Sequence, residues 1–163
     1  MSSRVLRNAL LSTALFGCLA LPVANAATST GTFFVRATVE PACEVDASTT
    51  DMNFNIIDLV NGNTATSTLA YRCTSGVAPD AALAYDFMTN GGTGVLNYTL
   101  YQDTAGPTGT VWDDTSTQTL PPATGFNSVD TVTVYGEVTS AQATADGVEN
   151  GIYVDEVTVT LTF

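Results

Sequence analysis

An all-β sandwich or barrel is the fold class this sequence predicts, and three observations carry it. Apolar and polar side chains alternate with a period of two in run after run, the pattern of strands with one face in a core and one in water. Asn-, Gly- and Pro-rich punctuation separates the runs, at Asn61-Gly62-Asn63, Asn90-Gly91-Gly92, Ala105-Gly106-Pro107, Pro121-Pro122 and Asn150-Gly151. One helix-like stretch interrupts this, Pro79 to Met88, where Ala81 to Ala84 has helical propensity. Leu83, Tyr85 and Phe87 still alternate there, so it too is assigned to a strand. The 163 residues fit one domain, and no internal repeat divides them.

The chain opens on a leader rather than a strand. Arg4 and Arg7 form a positive start, Ala9 to Leu21 is almost wholly apolar, and Ala24-Asn25-Ala26 after Pro22 fits a small-x-small cleavage site. Leu15-Phe16-Gly17-Cys18 has some likeness to a lipoprotein box, but bulky Phe16 and the apolar Leu19-Ala20-Leu21 argue against it. Residues 1–26 are therefore expected to be a signal peptide for export. Its removal takes both arginines and moves the formal charge from −12 to −14. It also takes Cys18, leaving Cys43 and Cys73 as a pair that an oxidising compartment joins in one disulfide.

The first expected strand follows at once, with Phe33, Val35, Ala37 and Val39 alternating with Phe34, Arg36 and Thr38. Met52, Phe54 and Ile56 alternate next with Asn53 and Asn55, and Leu69, Tyr71 and Cys73 share a face opposite Ala70 and Arg72. Leu96, Tyr98 and Leu100 alternate with Asn97 and Thr99; Val132, Val134 and Gly136 alternate with Thr131, Thr133 and Tyr135. The last run is the clearest, Val157, Val159, Leu161 and Phe163 against Thr158, Thr160 and Thr162, and it ends at the last residue. Two strongly amphipathic strands at the two ends fit an ordinary sandwich. They also fit strand donation, in which one subunit supplies an edge strand to its neighbour's sheet.

Composition closes off several functions. The charge of −12, from 4 Lys and Arg against 16 Asp and Glu, removes direct attraction to nucleic-acid phosphates and anionic membranes. With no His, the chain can form no Ser/His/Asp or Cys/His catalytic unit and no zinc site that needs imidazole. Asp113-Asp114 and Asp155-Glu156 are adjacent carboxylates, but general acid–base work needs carboxylates converging across a cleft, and strand neighbours point to opposite faces. No stretch matches the calcium loop D-x-[DN]-x-[DN]-G. Trp112 and Tyr101 could stack on a sugar, though core packing is the commoner use of lone aromatics, and Asn97-Tyr98-Thr99 is a glycosylation sequon. The expectation is a protein that is not an enzyme, with no catalytic residues, metal or cofactor.

Three stretches carry a family resemblance. They are Phe33-Phe34-Val35-Arg36-Ala37-Thr38-Val39 leading to Cys43-Glu44-Val45, the run Leu96 to Asp103 containing Tyr98-Thr99-Leu100-Tyr101-Gln102-Asp103, and Gly151-Ile152-Tyr153-Val154-Asp155 leading to Phe163. In their order and spacing the chain resembles the spore coat protein U family, which includes subunits of archaic chaperone–usher pili. The resemblance covers nearly all of residues 27–163.

That resemblance implies an incomplete immunoglobulin-like sandwich lacking its last strand. A donor segment would occupy 27–41 and the pilin domain 42–163. It implies assembly by donor-strand exchange, with a periplasmic chaperone, an outer-membrane usher and identical or related subunits as partners, and no nucleic acid. Phe33, Val35, Ala37 and Val39 would be the donor face, Ala37 being small for an anchor. The acceptor groove would be bordered by the first strand of the core and by the C-terminal strand with Val157, Val159, Leu161 and Phe163. The expected role is a surface pilus subunit in adhesion and biofilm formation, or else a protective coat protein. A small outer-membrane β-barrel and a secreted carbohydrate-binding module are the remaining alternatives, the barrel disfavoured by short runs and a single Trp.

Overall fold

The computed structural model describes residues 27–163; the expected signal peptide, 1–26, lies outside the described residues. Two units are distinguished, one ending at Ala37 and one spanning Thr38–Phe163. Of the first, the described residues form neither strand nor helix, and Phe33, Phe34 and Val35 stand exposed. The alternation there is that of a strand, but a strand exists only where a second one completes its ladder.

The regular structure of the second unit is almost wholly antiparallel strand. Strand β1 (Cys43–Val45) pairs with β2 (Asn63–Cys73), followed in the chain by β3 (Asp80–Ala84), β4 (Met88–Thr89), β5 (Val95–Leu96), β6 (Thr99–Tyr101), β7 (Gln118–Thr119), β8 (Asp130–Val138), the short helix α1 (Ser140–Ala143) and β9 (Thr158–Thr162). One sheet has the order β1-β2-β8-β6 and a second β7-β3-β9, while β4 and β5 form a small ribbon. Both larger sheets are open, as in a sandwich and not a closed barrel.

The alternation read from the sequence places the core. Leu69, Tyr71, Cys73, Val134 and Val138 from one sheet meet Ala81 and Leu83 from the other, with Leu96, Tyr98 and Leu100 among them. Trp112 is fully buried and donates its indole N–H to the Ala81 carbonyl at 2.8 Å. That is the core packing expected of a lone aromatic. Of the ambiguous stretch Pro79 to Met88, Asp80–Ala84 is a strand, β3, with Ala81 and Leu83 inward, whereas Tyr85, Asp86 and Phe87 lie outside any strand and Met88 opens β4.

Two details depart from simple alternation. The run around Tyr98 is divided between elements: β5 pairs with β4, whereas β6 pairs with β8. At Asn55 the backbone turns left-handed, φ 57°. Met52 and Phe54 therefore point inward as expected, but Ile56, expected on the same face, is 91% exposed. Asn tolerates this conformation because its short amide finds local partners.

Gly136 lies in the middle of β8, opposite Ala65 of β2 and Leu100 of β6. A Cβ there would lie 2.2 Å from Met52 Sδ and 2.9 Å from Phe54 Cζ. The missing side chain is what lets the segment before β2 cross the face of the sheet. The Cys43–Cys73 disulfide forms, closing a separation of 30 residues and joining β1 to the end of β2.

Candidate functional site

A cleft of about 670 Å³ opens along the side of the second unit. One lip is the segment Thr49–Phe54, and the other is the stretch from Ile152 to Val159 leading into β9. Leu69, Leu83, Leu100 and Val134 form the floor, so apolar groups from both sheets face it. Among the described residues no strand pairs with the edge of β9 opposite β3.

The first lip is tied to β2 partly through side chains. Thr50 N donates to the Thr68 carbonyl at 2.9 Å, and Thr68 N returns a bond to Thr50 Oγ1 at 2.9 Å. Ala70 N donates to Thr49 Oγ1 at 3.1 Å, and the Ser67 hydroxyl to the Thr50 carbonyl. Threonine hydroxyls thus replace some of the backbone carbonyls of a regular ladder. Upstream, Asp46 accepts from both the hydroxyl and the N–H of Ser48 and from Arg72 Nε. These bonds, Ser48's foremost, lower its pKa from 3.8 to about 2.

The second lip hangs from an aromatic stack. Phe54 meets Tyr98 edge-on, with ring centres 6.3 Å apart, and Tyr85 lies 5.0 Å from Tyr98 on the other side. The Tyr98 hydroxyl donates to Asp155 Oδ2 at 2.6 Å, and Asp86 N donates to the same oxygen at 3.3 Å. Burial, and then this bond to a carboxylate, push the Tyr98 phenol well above its ordinary pKa. Val154 and Thr89 exchange two backbone bonds of 2.9 Å. The charged groups lining the cleft are Asp51, Asp155 and Glu156, and the rim is acidic.

The expected groove residues divide. Val157 and Val159 line the cleft; Leu161 is half-buried against the core beyond it, and Phe163 is 56% exposed at the end of the strand. Met52, Phe54, Ile152 and Val154 also line it. The alternation of Met52 and Phe54 was a visible signal of an inward face, but their place on the lip depends on the crossing over Gly136. Of the residues expected to form a donor face, Phe33, Val35 and Val39 are exposed, as is Ala37.

The other carboxylates have local tasks. Asp113 accepts from the backbone of Thr115 and Ser116 to close a turn, and Asp103 accepts from Thr110 N and its hydroxyl. Among the described residues, no group of three or more His, Cys, Asp or Glu is placed to hold a metal ion. The cleft is apolar in its floor and acidic at its rim.

Comparison with protein families finds a match to the Spore Coat Protein U domain over residues 29–160. No curated protein matches the chain.

Proposed function

Starting from the fact that the chain belongs to the Spore Coat Protein U family, a family of pilus- and coat-type surface proteins, we propose that it is a structural subunit of a surface pilus. In this reading each subunit's cleft receives the N-terminal segment of the next, in chaperone–usher donor-strand exchange. The fibre acts in adhesion and biofilm formation.

The observation that carries this reading is the cleft itself: core residues of both sheets face it, and among the described residues the edge of β9 beside it is unpaired. An extended segment with alternating large side chains supplies what such a cleft lacks, a backbone ladder and apolar anchors. Phe33, Val35 and Val39 are such anchors, each contributing roughly 1.5–3 kcal/mol on burial, while Ala37 fills its position less. Charge agrees as well, because Arg36 lies between Val35 and Ala37 and the cleft rim carries Asp51, Asp155 and Glu156. Head-to-tail donation does not close on itself, so it builds a fibre. A periplasmic chaperone would cover the cleft before an outer-membrane usher exchanges it for the next subunit.

Material sheared from the native host's surface tests this on a denaturing gel. Unboiled samples should give a ladder spaced by one mature subunit that collapses to one band on boiling. Val35→Asp or Val39→Asp should abolish the ladder and leave chaperone binding intact. A single band in both lanes from the unaltered protein would overturn the reading and favour monomeric deposition in a coat.

A further inference from the structure

Large apolar side chains are exposed at both ends of the sandwich, and they are arranged differently. At the end where β2 begins and β8 finishes, Ile56 is 91%, Leu59 58% and Val60 79% exposed on one short loop. At the opposite end, beside the Cys43–Cys73 bond, Phe126, Val129 and Phe163 are exposed, two of them on the loop leading into β8.

The first loop is held in shape. Asp58 accepts from Val60 N at 2.7 Å and Asn61 N at 3.1 Å, and its own carbonyl accepts from Gly62 N at 2.8 Å. Asn63 Nδ2 donates to the carbonyls of Phe54 and Ile56 at 3.2 and 3.1 Å. Gly62 has φ +73°, and a Cβ there would lie 2.3 Å from the Val138 carbonyl oxygen. The loop's acid is thus turned to its own backbone, and its aliphatic side chains are fixed facing solvent. A stable surface of this kind is unfavourable unless something covers it.

Strand polarity identifies the cover. Every pairing in the second unit is antiparallel, and a strand continuing that pattern beside β9 runs from the Phe163 end toward the Ile152 end. A donor entering so leaves its Val39 near Ile152 and Phe54. Glu40, Pro41 and Ala42 then separate Val39 from the donor's own Cys43, a reach of roughly 13 Å for extended chain. The donating copy's disulfide end is therefore brought up against the Ile56–Val60 loop. We infer that the Ile56, Leu59 and Val60 loop of one copy packs on the Phe126 and Val129 loop of the copy that donates to it, giving each joint an apolar end-to-end contact besides the exchanged strand. This contact rests on the strand-donation reading, and it is heterologous, repeating along a fibre without closing.

Cross-linking assembled fibres tests the contact. Cys43 and Cys73 are paired, so a flexible bis-maleimide reacts with introduced cysteines alone. Fibres of a Leu59→Cys, Phe126→Cys variant should give a ladder that survives boiling for most of the material. A Leu59→Cys, Thr133→Cys variant, with its second cysteine on the exposed middle of β8, should not. An unboiled ladder that still collapses on boiling after cross-linking would overturn the contact and leave strand exchange standing. Covalent dimers from Leu59→Cys or Phe126→Cys alone would mean that like ends meet, and would also overturn it. Absence of any ladder from the unaltered protein would remove the underlying reading instead. If added cysteines impair folding, an Ile56→Ser, Leu59→Ser variant gives a second result. It should keep the unboiled ladder but form visibly more bent fibres in electron micrographs, and fibres as straight as the unaltered ones would sink the proposal.

Discussion

The Tyr98 hydroxyl and the Asp155 carboxylate are bonded at 2.6 Å across 57 residues of sequence. The bond joins the middle of the chain to the stretch that starts the C-terminal lip of the cleft. Tyr98 is buried between Phe54 and Tyr85, so one side chain supports both lips. Replacing Tyr98 by Phe keeps the ring packing and removes the bond, at a cost of about 1–2 kcal/mol. Urea unfolding should show this, together with faster proteolysis after Ile152. An unchanged midpoint would mean the bond does not hold the lip.

Gly136 should accept no side chain cheaply. Gly136→Val places its Cβ within 2.2 Å of Met52 Sδ and 2.9 Å of Phe54 Cζ, displacing the first lip. Overpacking of this kind costs about 1–3 kcal/mol. Met52 is the softer neighbour, so Gly136→Ala with Met52→Ala should be less destabilised than the sum of the single changes. Strict additivity in thermal melts would disprove the contact.

Loss of the disulfide, by reduction or as Cys43→Ser with Cys73→Ser, should lower stability by roughly 3–4 kcal/mol in the chain-entropy picture for a loop of this length. Denaturant curves with and without reductant measure it. Equal curves would mean the unfolded chain gains nothing from release of the loop.

Stability should be level through neutral pH and fall at both extremes. Asp46, Asp58, Asp103 and Asp113 ionise more easily folded than unfolded, each through hydrogen bonds to its carboxylate. Their contribution is complete above the unfolded value of 3.8 and is lost as pH falls through the folded one, about 2 for Asp46. Tyr98, Tyr85, Tyr71 and Tyr101 are raised above 10.0, mainly by burial, so theirs is complete below 10.0 and lost as pH climbs beyond it. Melting temperatures across the range check this, and a steep step near pH 6–7 would contradict it, since no His titrates there.

A peptide spanning residues 31–41 should raise the melting temperature of the mature monomer by filling its cleft. At a hundred times its dissociation constant it adds about 2.7 kcal/mol. The same peptide with Val35→Asp should do far less, and equal stabilisation by the two would remove Val35 as an anchor.

Much of this architecture could be read from alternation, because a half-buried strand leaves a period of two in the chain. The Leu69–Cys73 end of β2, the strands β8 and β9, and the inward set Leu69, Tyr71, Leu100 and Val134 were legible that way, whereas the Asn63–Thr68 half of β2 was not. Helix α1 was not expected, although Thr139 and Gln142 form a capping box whose spacing is visible in the sequence. Its four residues are too few to show a helical period. The outward turn of Ile56 depends on one left-handed residue, Asn55, which alternation cannot report. The cleft was expected at Val157 and Val159, but its other lip and the Tyr98–Asp155 bond are long-range relations. They arise only once Gly136 lets one segment cross another.

In the fibre proposed above, the position of the disulfide would set how tension is carried. Pulling on a donated segment would load its own subunit just ahead of Cys43. A three-residue ladder between β1 and β2 would unzip there under modest force, one bond at a time. The covalent link instead passes the pull to Cys73 at the end of β2, the longest strand, along which the load is shared sideways with β8. In such a filament, whether Cys43 and Cys73 are joined would decide whether the subunit stretches at its root or behaves as a rigid bead, and with it the stiffness of the whole.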